Sequence, residues 1–198
     1  MPELLTRQTT SFSEYLLLPY DGKKTEFVNG QIANMAEASP LHADIIDFLT
    51  TLLKAHIKDC ELNQVVRGGA IGIEIPQMTR DNNVRDPDVM VCDRTQWKAM
   101  RHLTKAIFCK GNPPALAIEV ANPGDTTRDT VDKRLEYALA QVPEYWIINP
   151  VDGYVLVLVL DTASGTYEEV GEFRGAEKVA SALYPTLDVT AAAMLDPE

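Results

Sequence analysis

Two carboxylates in this chain stand at the borders of apolar, strand-like runs. Asp88 closes Arg85-Asp86-Pro87-Asp88 ahead of Val89-Met90-Val91, and Glu119 lies near the end of Pro114-Ala115-Leu116-Ala117-Ile118-Glu119-Val120. A carboxylate desolvated without a partner costs roughly several kcal/mol, so both residues call for a cation. Two carboxylates, one main-chain carbonyl and waters meet the octahedral oxygen preference of Mg²⁺, and the Val120 carbonyl is the natural third ligand. Lys133, on an expected helix, would put a positive group near the reacting atom. The centre exists only if the two strands are neighbours. Otherwise Pro-Asp is a common turn, and a glutamate at a strand end is simply solvated.

Lys133 fits two arrangements. On a helical wheel Val131, Leu135, Ala138, Leu139 and Val142 make one apolar stripe, and Lys133 falls on the other side beside Tyr137 and Ala140. Either the helix is contacted on both sides and Lys133 looks into the site, or Lys133 is exposed and pairs with Asp129 at i, i+4. The wheel alone favours exposure. Glu26, on an early strand, is a further carboxylate for the metal site, although half-exposed strand glutamates are commonplace. His42 falls in the first turn of a long helix, a place for a structural or hydrogen-bonding role. His56 and His102 have no ligand set near them in the sequence.

The elements that must position these residues follow from periodicity and punctuation. Residues 11–18 read as a short helix capped by Ser11 or Ser13, and Asn29-Gly30 turns a hairpin between residues 25–28 and 31–33. Ser39-Pro40 opens a helix to about Asp59, with Ile45, Ile46, Leu49, Leu52, Leu53 and Ile57 on its core face. Strands are expected over 62–66 and 70–75 around Arg67-Gly68-Gly69, a polar turn over 79–83, and a strand over 84–92 that carries Asp88. The pattern then turns helical over 94–110, where Arg94, Lys98, Arg101 and Lys105 form a basic stripe. That stripe suits a phosphate-facing surface, and it equally suits an ordinary solvated face. After the Glu119 strand come a turn at Asn122-Pro123-Gly124-Asp125, a helix over 127–141, a strand over 144–149, and a hairpin of 154–160 with 167–173. The tail reads as irregular. Strand, helix, strand, helix, strand implies a mixed α/β sheet flanked by helices, with a parallel pair and a right-handed crossover near Glu119 and Tyr145.

The bulk properties bound the function. A chain of 198 residues with 45% hydrophobic and 24% charged residues is expected to fold as a single domain over residues 1–198. No run approaches the roughly 18 apolar residues of a membrane span, and the first ten residues lack a signal-peptide core, so a cytoplasmic protein without membrane attachment is expected. Three cysteines without C-x-x-C spacing read as reduced thiols. The net charge of −11 disfavours non-specific nucleic-acid binding, but residues from Pro150 onward hold nine acids against two bases, leaving −4 on the part that contains the candidate site.

The ordered set Thr25-Glu26-Phe27-Val28-Asn29-Gly30, Ser39-Pro40-Leu41-His42, Arg85-Asp86-Pro87-Asp88, Ile118-Glu119-Val120, Lys133 with Tyr137, and Val142-Pro143-Glu144-Tyr145-Trp146-Ile147-Ile148-Asn149-Pro150 resembles the Uma-type restriction-endonuclease family. That family belongs to the PD-(D/E)xK nuclease superfamily. The resemblance implies a restriction-endonuclease-like core and Mg²⁺- or Mn²⁺-dependent hydrolysis of phosphodiester bonds in DNA, leaving a 5′-phosphate and a 3′-hydroxyl. Asp88 matches the motif's Asp, Glu119 its second carboxylate, and Glu26 an acidic position that completes the metal site. The superfamily's usual Lys would fall on Ala121, and Lys133 matches the family's displaced Lys, which implies that it faces inward. Ala121-Asn122 stand where the family commonly has Leu-Ser. Cleavage of both strands implies a homodimer. The rival readings are a catalytically silent binding or assembly protein that keeps the fold, and a nuclease acting on RNA or branched DNA.

Overall fold

Two mixed sheets organise the computed structural model, which describes residues 10–19, 24–34, 39–69, 71–78, 81–122 and 127–197. Ala70, part of the 79–83 turn, the turn at Pro123-Gly124-Asp125 and the Asp129 side chain lie outside what it describes.

The chain starts with α1 (Phe12–Leu17), capped by Ser11 in a reciprocal box with Glu14. The hairpin β1 (Thr25–Val28) and β2 (Gln31–Asn34) turns where Asn29 and Gly30 take φ of 52° and 76°, as the Asn-Gly pair requires. Ser39 caps α2 (Pro40–Asp59) through the His42 N–H, with Pro40 in the first turn. Strand β3 (Gln64–Gly68) follows, and the chain then leaves it for β4 (Ile71–Ile75) in the other sheet. β5 (Asn83–Arg85) and β6 (Val89–Asp93) repeat that passage in reverse. Residues 84–92 are therefore not one strand. Pro87 has no N–H to give a ladder, and the chain changes sheets at Asp86-Pro87-Asp88.

α3 (Arg94–Met100) is shorter than the expected helix over 94–110. Ile107 and Phe108 are claimed by β7 (Ala106–Phe108), which pairs in parallel with β4 and buries the two side chains on opposite faces. Of the basic stripe only Arg94 and Lys98 remain on α3, Arg101 and Lys105 lie beyond it, and the Lys105 ammonium sits 4.5 Å from the centre of the Tyr15 ring. β8 (Leu116–Val120), α4 (Thr127–Leu139) and β9 (Glu144–Asn149) form the expected strand-helix-strand unit, with β8 and β9 parallel. β10 (Tyr154–Asp161) and β11 (Thr166–Phe173) make the hairpin, and the tail is not irregular throughout: α5 (Ala191–Leu195) buries Ala191 and Met194 in the core.

The five-stranded sheet runs β2-β1-β5-β4-β7 and the six-stranded sheet β11-β10-β9-β8-β6-β3. Alternation along the six-stranded sheet divides its two faces. Val66, Val89, Val91, Leu116, Ile118, Trp146 and Ile148 meet Ile45, Leu49, Leu53 and Ile57 of α2, together with α5. Val65, Met90, Cys92, Ala117, Tyr145 and Ile147 meet Tyr137 and Ala138 of α4, and Ile71, Ile73 and Ile75 of β4. Glu119, two residues after Ala117, is thereby directed to the α4 side. Among the described residues no helix is long and apolar enough to cross a membrane.

Candidate active site

The expected neighbours are neighbours. β6 pairs with β8 from Val91↔Leu116 to Val89↔Ile118, and the ladder stops there because Asp88 follows Pro87 out of the strand. The Val120 N–H, next along that open edge, donates instead to Asp88 Oδ2 at 2.8 Å. Within a strand the N–H and C=O of one residue project to the same edge, so the Val120 carbonyl points to the Asp88 side as well. Asp88 Oδ1 accepts from Lys24 Nζ at 2.6 Å and lies 3.3 Å from His42 Nε2. Burial would raise the Asp88 carboxyl, but the His42 hydrogen bond and the Lys24 ammonium outweigh it and hold it well below the usual carboxylate range. Burial opposes charge on His42, and Asp88 with Asn122 overcomes it, so the imidazole is raised above its ordinary value.

Glu119 Oε1 accepts the Tyr137 hydroxyl at 2.5 Å, and Oε2 lies 3.1 Å from Lys133 Nζ. Burial raises the Glu119 carboxyl, with Lys133 pulling against it. Lys133 is also 3.7 Å from Glu26 Oε1, and this pair of carboxylates overrides the desolvation of the ammonium and keeps it protonated. Lys133 thus faces inward, against the wheel. Val131, Leu135 and Leu139 are the exposed side of α4, at 51%, 59% and 58%. The wheel fails here because the buried face of the helix is set by Lys133 and Tyr137 of the site, with only Ala138 and Val142 of the apolar stripe buried beside them.

Glu26 Oε2 accepts from Arg85 Nη1 at 2.6 Å, and Arg85 Nε donates to Glu136 Oε2 at 2.5 Å. Glu136 in turn accepts from Asn83 Nδ2 at 3.1 Å. Asp86, 2% exposed, accepts the Ile71 N–H at 3.2 Å, and burial pushes its carboxyl up to about 7 against the pull of Lys24. Lys24 and Glu136 carried no periodic or motif signal of their own, and Arg85 and Asp86 stood in the Arg85-Asp86-Pro87-Asp88 motif without a site role. Their roles follow from the meeting of two sheets, which spacing along one chain does not encode. The two passages between sheets also touch: a Cβ on Gly68 would lie 2.9 Å from the Asp88 carbonyl oxygen.

The donor set fits a hard divalent cation. Asp88, Glu119, Glu26 and the Val120 carbonyl offer oxygen alone, and Glu26 Oε1 is buried without a hydrogen-bond partner. Among the described residues no three His, Cys, Asp or Glu side chains are already arranged around one metal position. In this arrangement Lys24 and Lys133 hold the positive charge beside the carboxylates.

Fold and site together define a mixed α/β protein with a restriction-endonuclease-like core, carrying buried carboxylates and cations where its two sheets meet. The same fold occurs in the solved structure of a "putative nuclease belonging to DUF820" from Anabaena variabilis, with a TM-score of 0.73 and 16% identity over 93% of this chain and 97% of that one. The Uma2 family, described as "Putative restriction endonuclease", matches residues 12–192, and the chain belongs to it. No curated protein matches the chain.

Proposed function

We propose that this chain is a divalent-metal-dependent endonuclease that hydrolyses phosphodiester bonds in DNA. The observation that carries the reading is the convergence of Asp88, the Val120 edge, Glu119 and Lys133 where β8 outruns β6. Asp88, Glu119 and the Val120 carbonyl would hold Mg²⁺ or Mn²⁺, with Glu26 completing the set. The ion, when bound, supplies charge neutralisation at the phosphate and a more acidic attacking water. Lys133, kept protonated between Glu119 and Glu26, orients that water and stabilises negative charge developing on the phosphorane-like transition state. His42 and the Val120 N–H fix the Asp88 carboxylate, and Tyr137 fixes Glu119. In-line attack leaves a 5′-phosphate and a 3′-hydroxyl. One site cuts one strand, so double-strand cleavage takes a homodimer. The reading fits a cytoplasmic protein folded as one domain.

Supercoiled plasmid incubated with the protein and Mg²⁺ or Mn²⁺ tests the proposal. Wild type should convert it to nicked and linear forms, and Asp88→Ala should leave it intact while retaining the native circular-dichroism spectrum. Equal cutting by Asp88→Ala overturns the assignment. A second reading, a silent binding protein that keeps the fold, is favoured by the ion pairs that already neutralise Asp88 and Glu119. It predicts no cutting by any form and no metal affinity that depends on these carboxylates.

A further inference from the structure

Two depressions adjoin on the face formed by β3, α3 and the C-terminal half of α2, and Arg67 lines both. The larger is a cavity of about 510 Å³ bordered by Arg67, Trp97, Arg101 and Lys105. The Arg67 guanidinium lies over the Trp97 indole, 4.5 Å from its centre. Asp86 and Thr25 also line this cavity, and they belong to the segments that present Asp88 on one side and Lys24 and Glu26 on the other. The smaller depression, about 340 Å³, is bordered by Lys54, Lys58 and Arg94.

Among the described residues none of these six cations has an ion-pair partner, whereas Arg134, Arg174 and Lys178 elsewhere pair with Glu169, Glu172 and Asp188. Only Glu61 and Asp86 add carboxylates to the two linings. Unpaired cations gathered on one face of a chain with net charge −11 select a polyanion by local field. The larger cavity is the size of sites that enclose a small organic ligand, about 300–1,000 Å³. A guanidinium backed by an indole is a surface on which a nucleobase stacks. A base held in a duplex cannot enter a cavity without leaving its stack.

We propose that this face binds a DNA strand next to the candidate active site, its phosphates along the cations and one unpaired base in the cavity against Arg67 and Trp97. The inference rests on the phosphodiesterase reading above and narrows its substrate to DNA that offers an unpaired nucleotide beside the cut, such as a single strand, a flap, a junction or a stretch of plasmid opened by negative supercoiling.

Tryptophan emission tests the proposal in EDTA, where no cleavage occurs. The chain has two tryptophans, and Trp146 is fully buried with its indole N–H on Glu144, so a ligand in the cavity reports through Trp97. The probes are a single-stranded oligodeoxynucleotide, its blunt duplex, and an abasic strand of the same length. Emission should be quenched by the single strand with half-saturation about ten-fold below that of either other probe. Trp97→Phe should abolish the quench while anisotropy of a labelled strand still reports binding, and the exposed change Arg101→Ala should weaken that binding several-fold. Equal affinity for the abasic strand or for the duplex, or no binding at all, overturns the inference. Plasmid cutting with equal binding of the three probes would sink this inference and leave the catalytic reading standing. Selective quenching with no cutting of any DNA would do the reverse.

Discussion

At the scale of single residues, the site is a set of buried charges that tolerate burial only together. Lys133 lies between Glu119 and Glu26 with 13% of its side chain exposed. Removing one partner of such a buried pair is strongly destabilising, about 3–5 kcal/mol, because the other charge stays desolvated and uncompensated. Lys133→Ala should therefore lower the urea midpoint markedly in EDTA, and Mg²⁺ should recover part of the loss by supplying positive charge to the same carboxylates. A loss of equal size with and without Mg²⁺ would separate Lys133 from the metal position. Gly68 carries a different constraint, since an added Cβ would meet the Asp88 carbonyl oxygen at 2.9 Å, a backbone atom that cannot swing aside. Gly68→Ala should shift the Asp88 segment and reduce plasmid cleavage by about ten-fold or more, in line with the sensitivity of catalytic geometry to small displacements. Asp88, Glu119, Glu26 and Lys133 were all visible in the sequence by type and by resemblance. Lys24 and Glu136 were not, because nothing local distinguishes an inward lysine or glutamate from a solvated one.

At the scale of elements, legibility depended on whether a local rule or a tertiary contact decided the outcome. Asn29-Gly30, the Ser11 and Ser39 caps, and the core face of α2 are local, and each formed as read. The strand over 84–92 and the helix over 94–110 were overridden by pairing with the second sheet, which took residues 83–85 into β5 and 106–108 into β7. α4 departs from the amphipathic rule, with Val131, Leu135 and Leu139 outward and Tyr137 inward beside Ala138. Leu135→Gln should consequently change stability by less than about 0.5 kcal/mol in urea denaturation, as for surface positions generally. Tyr137→Phe, by contrast, strips Glu119 of a buried hydrogen bond and should cost about 1–3 kcal/mol in the same assay. The two changes reversed in size would restore the wheel's orientation of the helix. In β6, burial pushes the Cys92 thiol up to about 11, while Cys60 and Cys109 are exposed. Thiol titration of the native protein at neutral pH should label two cysteines promptly, and the third only after unfolding.

At the scale of the whole molecule, the candidate site is not the property of one element. Lys24 and Glu26 come from the first hairpin, His42 from α2, Asp88 from the passage between sheets, Glu119 and Val120 from β8, and Lys133 and Tyr137 from α4. The parallel β8–β9 pair was readable, while the division into two sheets was not, because Gly69 and Pro87 mark interruptions without saying where the chain goes next. That division brings the residues together at the junction. The measurement closest to the central claim is calorimetric titration of Mn²⁺ into wild type, Asp88→Asn and Glu119→Gln, variants that keep shape and remove charge. The account predicts saturable binding by wild type that weakens at least about ten-fold in each variant. Unchanged Mn²⁺ affinity in both variants would contradict it.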